Sequence, residues 1–363
     1  MSKKLFTETK LGSLNLKNHL VMAPMTRSRA INNIPNELMA TYYAQRAEAG
    51  LLITEGTSPS PNGLGYARIP GAYSAEQIAG WKLVTDAVHE KGGKIFLQIM
   101  HVGRVAHQAN LPEGAEIVAP SAISAEGDMW TDTEQMQKTP VPREMTKEDI
   151  QQAVQEYVDA AKNAIEAGFD GVELHGANGY LLDQFINTAS NQRTDEYGGS
   201  IENRSRFVLE VAQATVEAIG KEKVGMRLSP YGVFNNMAVY PELDDAYAYL
   251  AEELNKIDLV YLHLVNHSAM GAPEVPQGVV DRIRAAFKNT LILSGGYDAE
   301  RAEQDLQSGA ADLIAVGRPF ISNPDLVTRF KEGIELAQPD QDTFYSPDEK
   351  GYTDYKTAAE TVA

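Results

Sequence analysis

Short runs rich in β-branched and aliphatic residues alternate with longer segments of helical spacing from one end of the chain to the other. The short runs are typical of strands and the longer segments of helices, because the two elements have different hydrophobic periods. Eight runs are predicted as strands, at residues 19–25, 51–57, 94–101, 171–177, 224–230, 258–265, 290–295 and 312–317.

The segments between these runs are predicted as helices. Two helix starts are indicated locally: Thr146 with Asp149 has the spacing of a capping box, and Asn323 before Pro324 has the order of an N-cap and a first helical residue. In the clearest helix, apolar side chains recur every three or four positions, at Ile150, Val154, Val158, Ala161 and Ile165.

Strands that alternate with helices predict a parallel sheet, either open and doubly wound or closed as a barrel. Eight repeats at fairly regular spacing favour the (β/α)8 TIM barrel. No G-x-G-x-x-G follows any strand, so the fingerprint of a Rossmann fold is missing. We expect residues 1–363 to form one α/β domain with elaborated loops over the carboxyl face, interrupted by a proline-rich excursion at about 104–145 and an irregular tail after 338.

Composition narrows the function classes. The chain has no cysteine, which excludes disulfides, thiolate zinc sites and Cys-held iron–sulfur clusters. Its 50 acidic and 32 basic residues give a net charge of −18, which disfavours binding to nucleic acid or to an anionic membrane. No apolar stretch approaches the length of a membrane span. The lysines near the start precede no apolar run, so we expect a cytoplasmic protein without a signal peptide.

The most informative segment follows the fourth predicted strand. It reads His175-Gly-Ala-Asn178-Gly-Tyr180 and lies at the carboxyl end of the strand, where barrel enzymes carry their chemistry. His175 and Asn178 can both donate to one carbonyl oxygen and stabilise negative charge that develops there, and Tyr180 can act as a general acid. An alternative of equal weight is structural: the His and the Asn tie down a glycine turn, and Tyr180 packs on the rim.

The fifth predicted strand ends with an arginine, Arg227. A guanidinium in the mouth of a barrel is costly unless it faces an anion. The functional interpretation, which we favour, is a cation beside an electron-rich cofactor or substrate. The structural alternative is an ion pair with a buried carboxylate such as Glu55 or Glu173.

Glycines end the seventh and eighth predicted strands, in Ser294-Gly-Gly296 and Gly317-Arg318. In such barrels these two loops often bind phosphate through backbone N–H groups, and Arg318 adds positive charge. Tight turns alone would also explain the glycines, but two such loops at the two expected strands favour a ligand that carries phosphate.

The remaining polar residues give weaker signals. Thr26, at the end of the first predicted strand, and Gln98, within the third, suit contact with the edge of a polar ring. The structural alternative, a strand-ending Thr and a core Gln with satisfied hydrogen bonds, is commoner. No metal site is predicted, since the set of Glu55, Glu173 and His175 is a weak candidate. The other histidines lack ligand spacing and are expected on the surface or in packing roles, at His19, His89, His107, His263 and His267.

Three segments resemble one known family. They are His175-Gly-Ala-Asn-Gly-Tyr-Leu-Leu-Asp-Gln-Phe185, then Asn191-Gln-Arg-Thr-Asp-Glu-Tyr-Gly-Gly-Ser-Ile-Glu-Asn-Arg-Ser-Arg-Phe207, then Thr343-Phe-Tyr345 followed by Gly351-Tyr-Thr-Asp-Tyr355. They are similar to the old yellow enzymes, FMN-dependent ene-reductases of the NADPH dehydrogenase branch, and the likeness spans nearly the whole chain. It implies a (β/α)8 barrel that holds FMN noncovalently at its carboxyl face.

The resemblance also implies roles for the matching residues. His175 and Asn178 would grip the activating oxygen of the substrate, and Tyr180 would donate the proton. Arg143, from the excursion, would contribute near the phosphate. The cofactor-binding set would be Pro24, Met25, Thr26, Gly56, Gln98, Arg227, Gly296, Gly317 and Arg318. The substrate pocket would be lined by Tyr66, Met100, Phe234 and Tyr345.

Met100 departs from the family pattern, which usually has Trp at this position. A thinner and more flexible thioether is expected to open room beside the flavin and to relax substrate orientation. The substrate preferences of the family therefore do not transfer directly to this chain.

The implied activity is a ping-pong reduction of electron-poor alkenes such as enones, enals and maleimides, with nitro compounds or nitrate esters as secondary substrates. NADPH or NADH would pass hydride to flavin N5, and N5 would pass it to the alkene. A metal- or base-assisted lyase or isomerase of a phosphorylated substrate remains an alternative, as does a flavin- or phenol-binding protein without activity. The partners would be small molecules, and the chain a monomer or homodimer.

Overall fold

The structure is a computed structural model that describes residues 3–362. Its centre is a closed barrel of eight parallel strands, in which each strand pairs with the next along the chain and the last pairs with the first. The predicted fold is confirmed, and every strand lies inside its predicted run. The strands are β1 (Leu20–Met22), β2 (Leu51–Ile53), β3 (Ile95–Ile99), β4 (Gly171–Gly176), β5 (Val224–Leu228), β6 (Tyr261–Val265), β7 (Thr290–Ser294) and β8 (Leu313–Val316).

Helices follow the strands and cover the outside of the barrel. They are α1 (Glu37–Gln45), α2 (Ala75–Glu90), α3 (Lys147–Glu166), α4 (Leu181–Ile186), α5 (Ile201–Ile219), α6 (Leu243–Ile257), α7 (Gln277–Ala286), α8 (Ala299–Ser308), α9 (Pro319–Ser322), α10 (Leu326–Glu332) and α11 (Ala358–Val362). The capping box predicted for α3 is present, because Thr146 and Asp149 exchange side-chain and backbone hydrogen bonds. Within residues 3–362, no helix is long and apolar enough to cross a bilayer.

The helix predicted to start at Pro324 starts instead at Leu326, so that prediction was wrong. Asn323 serves a distant segment rather than a cap. Its Oδ1 accepts the N–H of Ala337 at 2.8 Å, and its Nδ2 donates to the carbonyl of Pro319 at 2.8 Å. Tertiary hydrogen bonds have thus overridden a local capping signal.

Apolar side chains close the amino-terminal end of the barrel. A hairpin of Thr9–Leu11 with Leu14–Leu16 brings Leu11 and Leu16 into the apolar cluster that contains Phe96 from the barrel interior. The cluster is dry, because its members are almost completely buried. The polar interior residues therefore gather at the opposite, carboxyl end.

The excursion contributes two small pieces of sheet near the barrel. Arg104 ties it to the loop after β5, since this buried guanidinium donates to the carbonyls of Ser124 at 3.2 Å and Asn236 at 3.0 Å. The pieces are a parallel pair, Val118–Ala119 with Arg143–Glu144, and an antiparallel hairpin, Asp128–Thr131 with Gln135–Lys138.

The tail after 338 is held by a second buried arginine, Arg29, in the segment that follows β1. Its guanidinium donates to four carbonyl groups of the tail, at distances from 2.7 to 3.1 Å. Those carbonyls belong to Thr343, Phe344, Asp348 and Lys350. The tail is therefore fixed to the loop that leaves the carboxyl end of β1.

Candidate active site

Three basic side chains stand in register on three neighbouring strands. His175 of β4 lies opposite Arg227 of β5, and Arg227 lies opposite His263 of β6. All three side chains are buried. Residues in register on adjacent parallel strands point to the same face, so this row lines one side of the barrel.

A buried carboxylate, Glu173, lies two residues before His175 on β4. It accepts hydrogen bonds from Gln98 Nε2 at 2.8 Å, from the Tyr261 hydroxyl at 3.1 Å and from His263 Nδ1 at 2.8 Å. Burial acts to raise the pKa of Glu173, but His263, the charge of Arg227 and the hydrogen bond from Gln98 bring it below its ordinary value. The carboxylate is therefore ionised, and it fixes the amide of Gln98 through Nε2, while the Gln98 side-chain oxygen accepts no hydrogen bond from the described residues.

Arg227 forms no ion pair within residues 3–362. Among the described residues no carboxylate lies within ion-pair distance of its guanidinium, and its Nε has no hydrogen-bond partner. Glu173 is taken by His263, and Glu55 accepts the backbone N–H of Arg27 at 3.2 Å. Burial lowers the pKa of Arg227. The ion-pair alternative is wrong, and a buried guanidinium without a partner points to an electron-rich ligand.

The turn after β4 does not depend on the side chains of His175 or Asn178. Asp183 accepts the N–H of Gly179 at 2.9 Å, and Gln184 Nε2 donates to the carbonyl of Gly179 at 2.7 Å. Because these two residues hold the turn, the structural alternative for the His and the Asn loses its basis.

His175 and Asn178 present neutral donors. Burial lowers the pKa of His175 well below its ordinary value, and its Nδ1 has no partner within residues 3–362. The backbone of Asn178 is left-handed, with φ 62°, and is fixed on both sides: its N–H donates to Ser229 Oγ at 2.8 Å, and its carbonyl accepts from Asn235 Nδ2 at 2.7 Å. Its Oδ1 accepts from His267 Nε2 at 2.7 Å, which leaves the Nδ2 group free.

Tyr180 lies beside these donors. Its hydroxyl shares a hydrogen bond of 3.0 Å with the hydroxyl of Tyr66, and its ring stands edge-on to the ring of His175, with 4.9 Å between centroids. Burial raises the pKa of both phenols above the ordinary value. Both are therefore protonated at neutral pH, and the site holds a proton next to the donors of His175 and Asn178.

The first two strands end in small or neutral residues. Pro24 is buried, while Met25 and Thr26 are half-buried. A Cβ on Gly56 would meet the side chain of Met100, whose Cε would lie only 2.5 Å away. Met100 itself is 1% exposed. Its thioether therefore fills the space against Gly56, in an apolar cluster to which Tyr66 and Tyr180 are packed.

The other aromatic residues expected in the pocket lie at different depths. The ring of Phe234 packs edge-on against the ring of His267, with 4.6 Å between centroids. Tyr345 lies on the tail and is 61% exposed, and its carbonyl accepts from Arg68 at 2.8 Å. The structure thus brings Phe234 to the residues around Asn178 and leaves the Tyr345 ring at the rim.

The loops after β7 and β8 expose backbone donors. Gly295 and Gly296 have φ of 131° and 66°, which glycine adopts more readily than other residues. In the part of the chain that the structure describes, the N–H groups of Gly295, Gly296, Gly317 and Arg318 have no acceptor. Arg318 is exposed. Four free N–H groups and a guanidinium suit a phosphate.

Arg143 does not add to this set. Its guanidinium donates to Glu116 at 2.8 Å and to Asp149 at 2.6 Å. These two carboxylates raise the pKa of Arg143 above its ordinary value. Its charge is neutralised there, so the structure does not support the expected contribution near the phosphate.

The weak metal candidate has no geometric support. Across residues 3–362, no group of three histidine or carboxylate side chains is close enough to hold a metal ion. In addition, His175 stands beside the cationic Arg227, and Glu173 already accepts three hydrogen bonds. The buried polar groups of the mouth suit an electron-rich ligand better than a cation.

Comparison with known proteins identifies the family to which the chain belongs. Residues 4–337 match the model of the NADH:flavin oxidoreductase / NADH oxidase family. The chain belongs to the old yellow enzyme family. Chanoclavine-I aldehyde reductase fgaOx3 of Penicillium roqueforti (strain FM164) is 44% identical over 98% of this chain and 97% of that protein. For 12-oxophytodienoate reductase 7 of Oryza sativa subsp. japonica, the identity is 43% over 97% and 94% of the two chains.

Solved structures of morphinone reductase share the fold. One superposes with a TM-score of 0.95 and 45% identity, over 100% of this chain and 98% of that one. Another, in complex with tetrahydroNAD, has a TM-score of 0.92 and 46% identity, over 97% of both chains. As an old yellow enzyme, the protein is a flavin-dependent ene-reductase with FMN as cofactor and a nicotinamide as reductant. The partnerless Arg227 and the free N–H groups of the last two loops fit that cofactor.

Sequence reasoning missed the residues that hold Asn178. Ser229, Asn235 and His267 all bond to it, although they lie 51, 57 and 89 residues away. Their position in the sequence could have indicated them, because each follows the carboxyl end of β5 or β6, where the loops of a barrel meet. His267 was expected on the surface or in packing, and it lies instead at the site.

Proposed function

We propose that the protein reduces the activated C=C bond of enones, enals and maleimides, with NADPH or NADH as the electron source. The observation that carries the proposal is the set at the end of β4: neutral donors on His175 and Asn178 beside the protonated hydroxyl of Tyr180. Reduction of an α,β-unsaturated carbonyl needs hydrogen-bond donors and a proton donor. Its oxygen gains negative charge when hydride reaches the β-carbon, and its α-carbon then needs a proton.

His175 and Asn178 bind the carbonyl oxygen. Both are fixed before substrate arrives: His175 is buried on β4, and Asn178 is held at its N–H, its carbonyl and its Oδ1. Donors that need no reorganisation stabilise the developing charge most effectively, and loss of one such donor costs roughly 10²–10³ in rate in other enzymes. The same pair orients the alkene so that its α-carbon lies towards Tyr180.

Tyr180 supplies the proton. The O–H bond of Tyr180 breaks as the new C–H bond forms at the α-carbon, which leaves a phenolate. Tyr66 can donate to that phenolate, because the two hydroxyl oxygens are 3.0 Å apart, and the positive charge of Arg227 also acts to stabilise it. Solvent then returns the proton to Tyr180.

The cofactor residues divide into two groups. Thr26, Gln98 and Arg227 would contact the ring system, with Pro24, Met25 and Gly56 beside it. Gly296, Gly317 and Arg318 would hold the phosphate. When bound, FMN would supply the redox chemistry, a transfer of hydride from the nicotinamide to the β-carbon. The chain itself contributes position, hydrogen bonds and charge.

The range of substrates and the assembly are further proposals. Tyr66, Met100, Phe234 and Tyr345 would line the substrate pocket, and nitro compounds or nitrate esters would be secondary substrates. We propose a single domain, supported by Arg104 and Arg29, which tie the excursion and the tail to the barrel. We also propose a cytoplasmic location, supported by the need for a pool of reduced nicotinamide, and a monomer or homodimer.

The first experiment is spectroscopic and kinetic. Purified protein should carry flavin absorption in the visible, and it should oxidise NADPH or NADH when 2-cyclohexenone is supplied without oxygen. Bound flavin without enone-dependent oxidation would instead favour a flavin-binding protein. A colourless protein whose activity needs a metal would favour a lyase or isomerase, and would refute the proposal.

A further inference from the structure

Loops from three neighbouring strands meet at the side chain of Asn178. Asn178 follows β4, Phe234 follows β5 and His267 follows β6. His267 is half-buried, its Nε2 lies 2.7 Å from Asn178 Oδ1, and its ring packs on Phe234 at 4.6 Å with an interplanar angle of 68°. The imidazole is thus held by its contact with an aromatic ring and by its hydrogen bond to the amide.

The amide of Asn178 has one freedom left. Its backbone is fixed by Ser229 and Asn235, as described above. Rotation about the last side-chain bond would exchange the oxygen and the nitrogen of the amide, and the two ends have opposite hydrogen-bonding character. Only the NH2 end can donate to a carbonyl oxygen of the substrate, while the oxygen end would repel it.

His267 decides between these two orientations. Burial, with a contribution from the cations Arg227 and Arg318, lowers the pKa of His267 to about 4. The ring is therefore neutral at pH 7 and carries a single N–H. With that hydrogen on Nε2 the ring donates to Asn178 Oδ1, and the NH2 group faces away from His267. Within the described chain, Nδ1 of His267 has no hydrogen-bond partner that would draw the hydrogen away.

We propose that His267 is a positioning residue that holds the Asn178 amide with its NH2 group towards the substrate oxygen. This inference rests on the function proposed above, because it assigns the Asn178 amide to an oxygen of the substrate. His267 itself touches neither the substrate nor the reacting atoms, and it acts through Asn178. Phe234 supports it by fixing the plane of the imidazole.

The test compares three replacements at His267. His267→Gln keeps a donor, His267→Leu removes it while keeping apolar bulk against Phe234, and His267→Glu offers only an acceptor when ionised. Ser268→Ala is the matched control, since Ser268 is the next residue of the same loop, is exposed and has no side-chain hydrogen bond in the described chain. Each variant is made as the FMN-loaded enzyme.

Three quantities are measured: the dissociation constant of 4-chlorophenol, from the change in flavin absorption, and kcat and KM for 2-cyclohexenone. His267→Leu should weaken phenol binding and lower kcat/KM by about 10-fold, the size of a lost orienting hydrogen bond. His267→Glu should weaken phenol binding and lower kcat/KM further, because an ionised Glu would attract the NH2 group of Asn178 and turn the amide oxygen towards the pocket. His267→Gln should stay within about 3-fold of the parent, and Ser268→Ala should match it.

The effect must also depend on Asn178. In an Asn178→Ala background, His267→Leu should cause no further loss of phenol affinity, because residues that act through one another are not additive. A full additional loss there, or phenol affinity unchanged in His267→Leu, would overturn the inference. Should His267→Leu fail to retain FMN, equal affinities of the Gln and Glu variants would overturn it as well.

The two proposals fail in different ways. A parent enzyme that shows no enone-dependent oxidation of NADPH or NADH would refute the proposed function. A fully active parent whose His267 variants bind phenol equally well would refute only the role of His267.

Discussion

The replacement Arg227→Met should affect the apo-protein and cofactor binding in opposite senses. Arg227 is 7% exposed and has no carboxylate within ion-pair distance in the described chain. Methionine retains much of the side-chain volume and removes a charge whose burial is costly, so the apo-protein should gain about 1–3 kcal/mol. The more distant attraction between Arg227 and Glu173 places the gain towards the lower end.

The magnitude converts to a measurable temperature. Unfolding entropy of roughly 2.1 cal/mol/K per residue gives about 0.8 kcal/mol/K for 363 residues. A gain of about 1–3 kcal/mol therefore raises the Tm of the apo-protein by roughly 1–4 °C. FMN affinity should fall instead, by about 10- to 150-fold, because a hydrogen bond to a charged group contributes roughly 1.5–3 kcal/mol.

Arg329 provides the matched control. Its exposed fraction of 6% is similar to the 7% of Arg227. Unlike Arg227, however, its Nε forms an ion pair with Asp325 at 2.8 Å. Arg329→Met leaves the buried Asp325 carboxylate without its cation, although the N–H of Ala358 still donates to it. It should therefore lower Tm by roughly 4–6 °C, for a loss of about 3–5 kcal/mol, and leave FMN affinity unchanged. Calorimetry of the apo-proteins and titration with FMN measure both quantities. A Tm for Arg227→Met that falls as far as that of Arg329→Met would refute the reasoning, and so would an unchanged FMN affinity.

Two further predictions concern the end of β2. Burial raises the pKa of Glu55 to about 7, so the folded protein holds a proton that the unfolded chain releases near pH 4.3, and stability is lost as pH rises from about 4 to about 7. Glu55→Gln should therefore stabilise the protein at about pH 8 by up to roughly 3 kcal/mol and have little effect at about pH 4. Urea unfolding at both pH values measures the two effects. Equal stabilisation at both pH values would contradict the prediction. Gly56→Ala should displace the Met100 side chain and weaken FMN binding by about 10-fold or more, since overpacking costs about 1–3 kcal/mol. Adding Met100→Ala should restore much of that affinity in an FMN titration, and simple additivity of the two changes would argue against the contact.

The barrel was predictable because its signal is local. Each strand is a short run rich in apolar residues and mostly buried, as the five residues Ile95–Ile99 illustrate, and each run is visible in the sequence. The predicted runs extend past the strands at their carboxyl ends, as at residues 54–57. The N–H groups of Thr54 and Thr57 still donate to carbonyls of β3, those of Phe96 and Gln98. The side chains of Thr54 and Glu55 add tertiary hydrogen bonds at the mouth, because they accept the N–H groups of Gln98 and Arg27.

The polar chemistry was predictable only in part. His175, Asn178 and Tyr180 lie within six residues of one another, so their convergence is a local fact. The state of Arg227 is not local, because it depends on Glu173 being taken by Gln98 and His263, which are 75 and 90 residues away from it. Pairing between strands decides which carboxylate meets which cation, and no pattern along one chain specifies it.

The electrostatic balance links the composition to the site. The chain carries a net charge of −18, yet Arg227 has no acidic partner among the described residues and Arg318 is exposed beside free backbone donors. Positive charge without a partner is unexpected in so acidic a protein unless a ligand uses it. Because acidic residues outnumber basic ones in this chain, the lack of an acidic partner for these two cations supports their role in binding an anionic cofactor.

The most direct test of the central claim is an anaerobic stopped-flow comparison of the two half-reactions in the parent and in Tyr180→Phe. The replacement removes one oxygen and keeps the ring that packs against Tyr66. Reduction of the flavin by NADPH should change by less than about 3-fold, while its reoxidation by 2-cyclohexenone should slow by roughly 10²–10⁴, the contribution typical of a general acid. Equal slowing of both half-reactions, or no slowing of the second, would contradict the assignment of Tyr180 as proton donor.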